Sequence, residues 1–120
     1  FCVPATSTTA RIYDPVTDSL STPSGTYSST FRGGVLLPDG RVFCVPNNST
    51  TGIIYDPITD SLSTTSGTYP ATDAFRGGVL LTDGRVFCVP ATSTTARIYG
   101  SINTGKYDAN IVLSAYCNKF

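Results

Sequence analysis

The sequence predicts an all-β fold built from repeated four-stranded antiparallel units, the first of them incomplete. Three observations carry this prediction: a string that occurs three times, two hairpin signals within each period, and a composition of strand and turn formers. FCVPATSTTARIY at 1–13 recurs as FCVPNNSTTGIIY at 43–55 and again as FCVPATSTTARIY at 87–99. Spacings of 42 and then 44 residues are the length of one supersecondary unit that buries its faces only against neighbouring copies. The two additional residues fall in the loop at 70–74, because Tyr27 matches Tyr69 at 42 whereas Phe31 matches Phe75 at 44; loops tolerate such changes. Nineteen Thr, 13 Ser, 11 Gly and 8 Pro in 120 residues supply strand and turn chemistry.

Each element follows from local pattern. Val35 to Leu37 and Arg41 to Val45 flank Pro38-Asp39-Gly40, where Asp suits the turn and Gly takes positive φ. The second copy keeps Asp83-Gly84 and replaces Pro38 by Thr82, as expected if Gly is required and Pro only helps. A second hairpin joins Gly52–Tyr55 to Ser61–Thr64 through Asp56-Pro57-Ile58-Thr59-Asp60, and Asp14-Pro15-Val16-Thr17-Asp18 repeats it. Along 41–45, period two places Val42 and Cys44 on one face and Phe43 and Val45 on the other, so that strand is expected to be covered on both sides. In Arg11-Ile12-Tyr13 only Ile12 faces one way, which predicts an outer strand that is half exposed or interfacial.

The units are 1–30, a partial unit of three strands; 31–74, a complete unit; and 75–120, a last unit whose C-terminal strand diverges from the repeat. Within that tail, Ile111, Leu113, Ala115 and Cys117 alternate with Val112, Ser114 and Tyr116, which predicts a strand, either local or donated to another chain. The segment at Phe1, Cys2 and Val3 matches the second strand of a unit without the strand that would pair with it. A chain that begins at Phe1 and has no Met is expected to be a processed product or a fragment.

The strings VLLPDGRVFCVP and ARIYDPVTDSLST resemble the Kelch-type β-propeller repeat in its bacterial, galactose-oxidase-like form, with a hydrophobic pair, a DGRV hairpin and a YDP turn. The resemblance spans 1–100 and implies that each unit is a propeller blade. Two features depart from the family pattern: Val45-Pro46 stands where a double glycine usually follows the second strand, and Leu20 and Leu62 stand where the family carries tryptophan. Near-identical arrays of this kind also resemble tail-associated proteins of phages.

The same sequence excludes much chemistry. It contains no His, Glu, Gln, Trp or Met, which removes imidazole bases and ligands, and with them a serine triad, a Cys/His nucleophile and the copper chemistry of the family's enzymatic branch. The expectation is a non-enzyme without cofactor or metal. Eight basic and eight acidic residues balance to zero, so no nucleic-acid or anionic-lipid partner is expected, and no apolar run approaches the ~20 residues of a membrane helix.

Cys2, Cys44 and Cys88 hold equivalent positions, so neighbouring copies would lie ~10 Å apart, a sheet spacing, too far for a disulfide. They are expected to be buried and free, with pairing of Cys117 left open. Asp14 with Asp18, and Asp56 with Asp60, read as Asx-type turns, with a weak calcium site as the alternative. Arg32, Arg41, Arg76 and Arg85 are expected to bond carbonyls or Asp at turns, and Arg11 and Arg97 to be solvated or between sheets. Tyr13, Tyr55 and Tyr99 read either as simple packing or as an exposed ladder that stacks on sugars. Asn47 and Asn48 begin overlapping N-x-S/T sequons; the alternatives are ordinary polar loops or glycosylation in an extracellular protein.

These readings converge on a non-catalytic structural subunit, a homo-oligomer or homopolymer that forms an extracellular or virion-associated fibre, filament or ring. Fewer than three complete units cannot close a propeller, which typically needs about four to eight, so Ile111, Leu113, Ala115 and Cys117 are expected to complement the edge at Phe1, Cys2 and Val3 of a neighbour. The alternative is a Kelch-like propeller that binds carbohydrate or protein through its loops.

Overall fold

The computed structural model describes residues 1–27, 30–70 and 72–100, and these form nine strands in three antiparallel sheets. The first sheet pairs β1 (Ile12–Asp14) with β2 (Ser19–Ser21). In the second, β3 (Phe31–Leu36), β4 (Val42–Pro46), β5 (Ile53–Asp56) and β6 (Ser61–Thr64) follow one another in chain order. The third repeats that order through β7 (Phe75–Leu80), β8 (Val86–Pro90) and β9 (Arg97–Tyr99). The all-β class expected from the sequence is observed. No helix among the described residues is long and apolar enough to cross a membrane.

Both inner hairpins close identically. The Leu37 amide donates to the Arg41 carbonyl (2.8 Å) and the Gly40 amide to the Leu37 carbonyl (3.0 Å), with Gly40 at φ 90°. Leu81, Arg85 and Gly84 reproduce this at 2.7 and 3.0 Å with φ 88°. Thr82 therefore substitutes for Pro38 without altering the turn, because the left-handed glycine is what the geometry requires. In the outer hairpins, Asp14 Oδ1 accepts from the Val16 amide at 2.8 Å and Asp56 Oδ1 from the Ile58 amide at 2.9 Å. Those Asx contacts let Asp18 and Asp60 adopt φ 50° and 49°, a conformation Asp tolerates better than most residues.

The partial first unit is less regular than the three strands expected of it. Phe1–Pro4 contributes one isolated bridge, Cys2 with Arg11, in front of β1 and β2. In β4 the two-sided burial holds: Phe43, Cys44 and Val45 are fully buried and Val42 half-buried. Arg11-Ile12-Tyr13 is exposed apart from a half-buried Ile12, as the pattern predicts. The expected tail strand, with Ile111, Leu113, Ala115 and Cys117, lies outside the described residues.

Two apolar clusters join the sheets. One gathers Val35, Phe43, Val45 and Ile54 of the second sheet with Phe75, Val86 and Cys88 of the third. The other packs Phe1, Val3 and Ala10 against Phe31, Cys44 and Ile53.

Candidate functional site: the stacked sheet faces

The chemistry of this chain is concentrated where one sheet meets the next. Phe1 stacks on Tyr55 with ring centroids 4.6 Å apart and planes 13° from parallel. Phe43 stacks on Tyr99 at 4.7 Å and 5°. Each pair joins the Phe of one copy to the Tyr of the next, so the contact repeats along the chain. Glycines make the approach close enough. A Cβ at Gly34 would lie 2.7 Å from Val3 Cγ2, and one at Gly78 2.9 Å from Val35 Cγ2 and 3.0 Å from Val45 Cγ2, well inside ordinary carbon contact. The second glycine of each pair, Gly34 and Gly78, thus serves packing between sheets.

A loop seals each junction. The Tyr27 amide donates to the Thr8 carbonyl, and the Tyr69 amide to the Thr50 carbonyl, both at 2.9 Å. Their rings sit edge-on to Phe31 and Phe75 at 5.9 and 6.2 Å. The two copies differ at the phenol. The Thr65 side chain stands near the Tyr69 phenol, whereas Pro23 occupies the matching position before Tyr27, and the buried Tyr27 hydroxyl has no partner among the described residues.

Polar contacts set the spacing. The Ser24 hydroxyl donates to Asp60 Oδ2 at 2.7 Å and its amide to Asp60 Oδ1 at 3.0 Å, holding the Asp60 carboxyl below its ordinary 3.8. Asp73, inside the lengthened loop, accepts from Asn47 Nδ2 at 2.8 Å, donates its amide to Asn48 Oδ1 and pairs with Arg76 at 3.1 Å. The first and third copies carry Ala-Thr where the middle one carries Asn47-Asn48. The insertion and the Asn pair are therefore two halves of one contact.

Among the described residues, nothing covers the faces beyond these junctions. In the second sheet Val35, Val45 and Ile54 are 7%, 0% and 4% exposed; their counterparts Val79, Val89 and Ile98 in the third are 54%, 38% and 48% exposed. At the other end Tyr13 is 49% exposed, against 3% for Tyr55. Beside Phe1 and Val3 an apolar cleft of about 430 Å³ opens toward Leu36 and Val42.

The residues singled out in the sequence fall as follows. Phe1 and Val3 lean on the second sheet, while Cys2 is exposed and makes the bridge to Arg11. Cys44 and Cys88 are buried and free, and desolvation pushes their thiols up to about 12 and about 11, so they stay protonated. Of the Asp pairs, Asp14 and Asp56 accept turn amides while Asp18 and Asp60 accept from the Tyr13 and Tyr55 phenols at 3.0 and 2.9 Å, and Asp39 and Asp83 hold Arg41 and Arg85 at 2.8 and 2.7 Å. Asn47 is buried, its Nδ2 also donating to the Phe75 carbonyl at 3.0 Å, so a glycan there would break the junction; Asn48 is exposed. Ser49 and Ser93 receive the amides of Thr51 and Thr95, both at 3.2 Å, so these hydroxyl-rich loops are ST turns.

The exposed tyrosine ladder does not form. Tyr55 and Tyr99 lie under phenylalanines of the preceding copies, which leaves Tyr13 alone with an open ring. Sequence reasoning missed the Phe–Tyr stacks and Asp73. The coincidence of the insertion with Asn47-Asn48 was the available signal for the latter. Among the described residues, no three His, Cys, Asp or Glu side chains come together as a metal site. Comparison with protein-family models and with curated proteins finds no match to this chain.

Proposed function

We propose that this chain is a non-catalytic structural subunit that assembles with further copies of itself into a fibre, filament or ring outside a cell or on a virion. The observation that carries the reading is the contrast between matched faces. The side chains that are buried in the second sheet, where a neighbour follows, are about half exposed in the third. Contiguous apolar surface of this kind marks an interaction site, and a repeat unit stabilises its flat face only against another unit. Each sheet has two different faces, so the contact is heterologous and propagates until it closes or becomes a filament.

In this reading the sheets are blades of a Kelch-like propeller or of an open stack. The protonated buried thiols, the turn-bound aspartates and a sequence free of His and Glu all favour a structural role over catalysis. Burial of Tyr55 and half-burial of Tyr99, each beneath a phenylalanine, weaken the alternative of a sugar-binding module. Light scattering and negative-stain microscopy over a dilution series test the proposal. Assemblies that grow with concentration are expected; a compact single particle at every concentration overturns it.

A further inference from the structure

We propose that Asn48 is the acceptor of one N-linked glycan and that its neighbour Asn47, which begins the overlapping sequon, is not. This goes beyond assembly and rests on the part of the reading above that places the chain outside a cell.

Asn47-Asn48-Ser49 and Asn48-Ser49-Thr50 lie in the loop between β4 and β5, and no other N-x-S/T occurs in the chain. As sequence the two are equivalent. The fold separates them, because the partners of each side-chain amide fix its orientation. Asn47 faces the Asp73 carboxylate and the Phe75 carbonyl, which only accept, so its Nδ2 donates both hydrogens, at 2.8 and 3.0 Å. Asn48 faces the Asp73 main-chain amide, which only donates, so its Oδ1 is the bonded atom, at 2.6 Å. The Asn48 side chain is exposed, and its Nδ2 donates to no described residue.

N-glycosylation exchanges one Nδ2 hydrogen for C1 of a sugar and leaves the amide oxygen and the second hydrogen in place. The donor is a lipid-linked oligosaccharide diphosphate. Its bond from C1 to the diphosphate oxygen breaks, the electron pair leaves with the diphosphate, the C1–Nδ2 bond forms, and the proton lost from Nδ2 passes to the released diphosphate. At Asn48 the exchange disturbs no bond between described residues, and Oδ1 still holds Asp73. At Asn47 it removes one of two donated bonds and drives a sugar ring into a site that is 1% exposed, beside the fully buried Phe75. The hydroxyls two residues on divide in the same way. Ser49, which completes the Asn47 sequon, is buried and donates to the Thr51 carbonyl at 2.7 Å. Thr50, which completes the other, is exposed and holds the Tyr69 amide through its main-chain carbonyl. Asn48 follows the end of β4 and Asp73 precedes β7, so the glycan leaves from strand ends and not from the apolar faces.

The test directs the full chain through the secretory pathway of a eukaryotic host with a cleavable leader. Folded chain recovered from medium and cells is treated with peptide N-glycosidase in heavy-oxygen water, which marks the released asparagine as labelled aspartate, and is then mapped by mass. One glycan is expected, on Asn48. Thr50→Ala removes the Asn48 sequon while keeping both asparagines and their bonds to Asp73, and is expected to give a bare chain with an unchanged circular dichroism spectrum. Ser49→Ala, which removes the Asn47 sequon alone, and Thr50→Ser, which preserves both, are expected to keep the glycan. A bare unaltered chain, or a glycan on Asn47 in folded chain of any of these variants, overturns the proposal. Light scattering of the same material before and after glycan removal reads assembly independently. A bare chain that polymerises overturns the glycan and leaves the assembly reading standing; a chain glycosylated on Asn48 that stays a single particle in both forms does the reverse.

Discussion

Replacing Gly78 by alanine strikes the junction between the second and third sheets directly. The added Cβ would lie 2.9 Å from Val35 Cγ2, 3.0 Å from Val45 Cγ2 and 3.1 Å from Val86 Cγ1, where carbon atoms prefer about 3.5–4.0 Å. All three neighbours are β-branched, stiff at χ1 and at most 7% exposed, so none can swing aside into solvent. Overpacking of this kind costs about 1–3 kcal/mol. It outweighs the roughly 0.4–1 kcal/mol that a Gly→Ala change contributes by restricting the unfolded chain. Gly77→Ala is the internal control, since no atom lies within 4 Å of its Cβ position and its φ is outside the left-handed region. Urea unfolding at fixed protein concentration should place Gly78→Ala below the unaltered chain and Gly77→Ala level with it or above. In the Gly78→Ala background, Val35→Ala should cost less than it does alone, because it opens the space the new methyl needs. If Gly78→Ala proves as stable as Gly77→Ala, close packing between the sheets is not what the glycine provides.

The remaining predictions use the same repetition as their control. Tyr27→Phe removes a buried hydroxyl that has no partner among the described residues and is expected to be neutral or stabilising by up to about 1 kcal/mol; a urea midpoint that falls refutes this. The carboxyls of Asp60, Asp73 and Asp83 are held below their ordinary 3.8 by hydrogen bonds from Ser24, Asn47 and Arg85. Their contribution is present above that value and is lost as pH falls through the lower folded values. Thermal midpoints should hold steady down to about pH 4 and drop below it, less steeply in Asp60→Asn. At the alkaline end, Cys44 and Cys88 are raised by desolvation from 9.0 to about 12 and about 11. That stability is complete below 9.0 and declines as pH rises through 11 and 12. At neutral pH a thiol reagent should label Cys2 in the folded chain, and Cys44 and Cys88 only after denaturant is added; prompt labelling of either buried thiol would contradict the packing described.

The local features of this protein were determined by its sequence because each depends on a few adjacent residues. Gly40 and Gly84 close the inner hairpins wherever Asp-Gly occurs, Asp14 and Asp56 fold the outer turns on to their own amides, and alternation along 42–45 announces a strand covered on both sides. What the side chains meet across a sheet was decided only by tertiary structure. Tyr13, Tyr55 and Tyr99 are the same residue in the same string, yet Tyr55 and Tyr99 lie beneath a phenylalanine from another copy while Tyr13 does not. Val45 and Val89 likewise sit in the same Arg-Val-Phe-Cys-Val-Pro string and differ in exposure, 0% against 38%. A repeat encodes identical local conformations, but burial depends on which sheet stands next to each copy, and that neighbour is set by position along the stack.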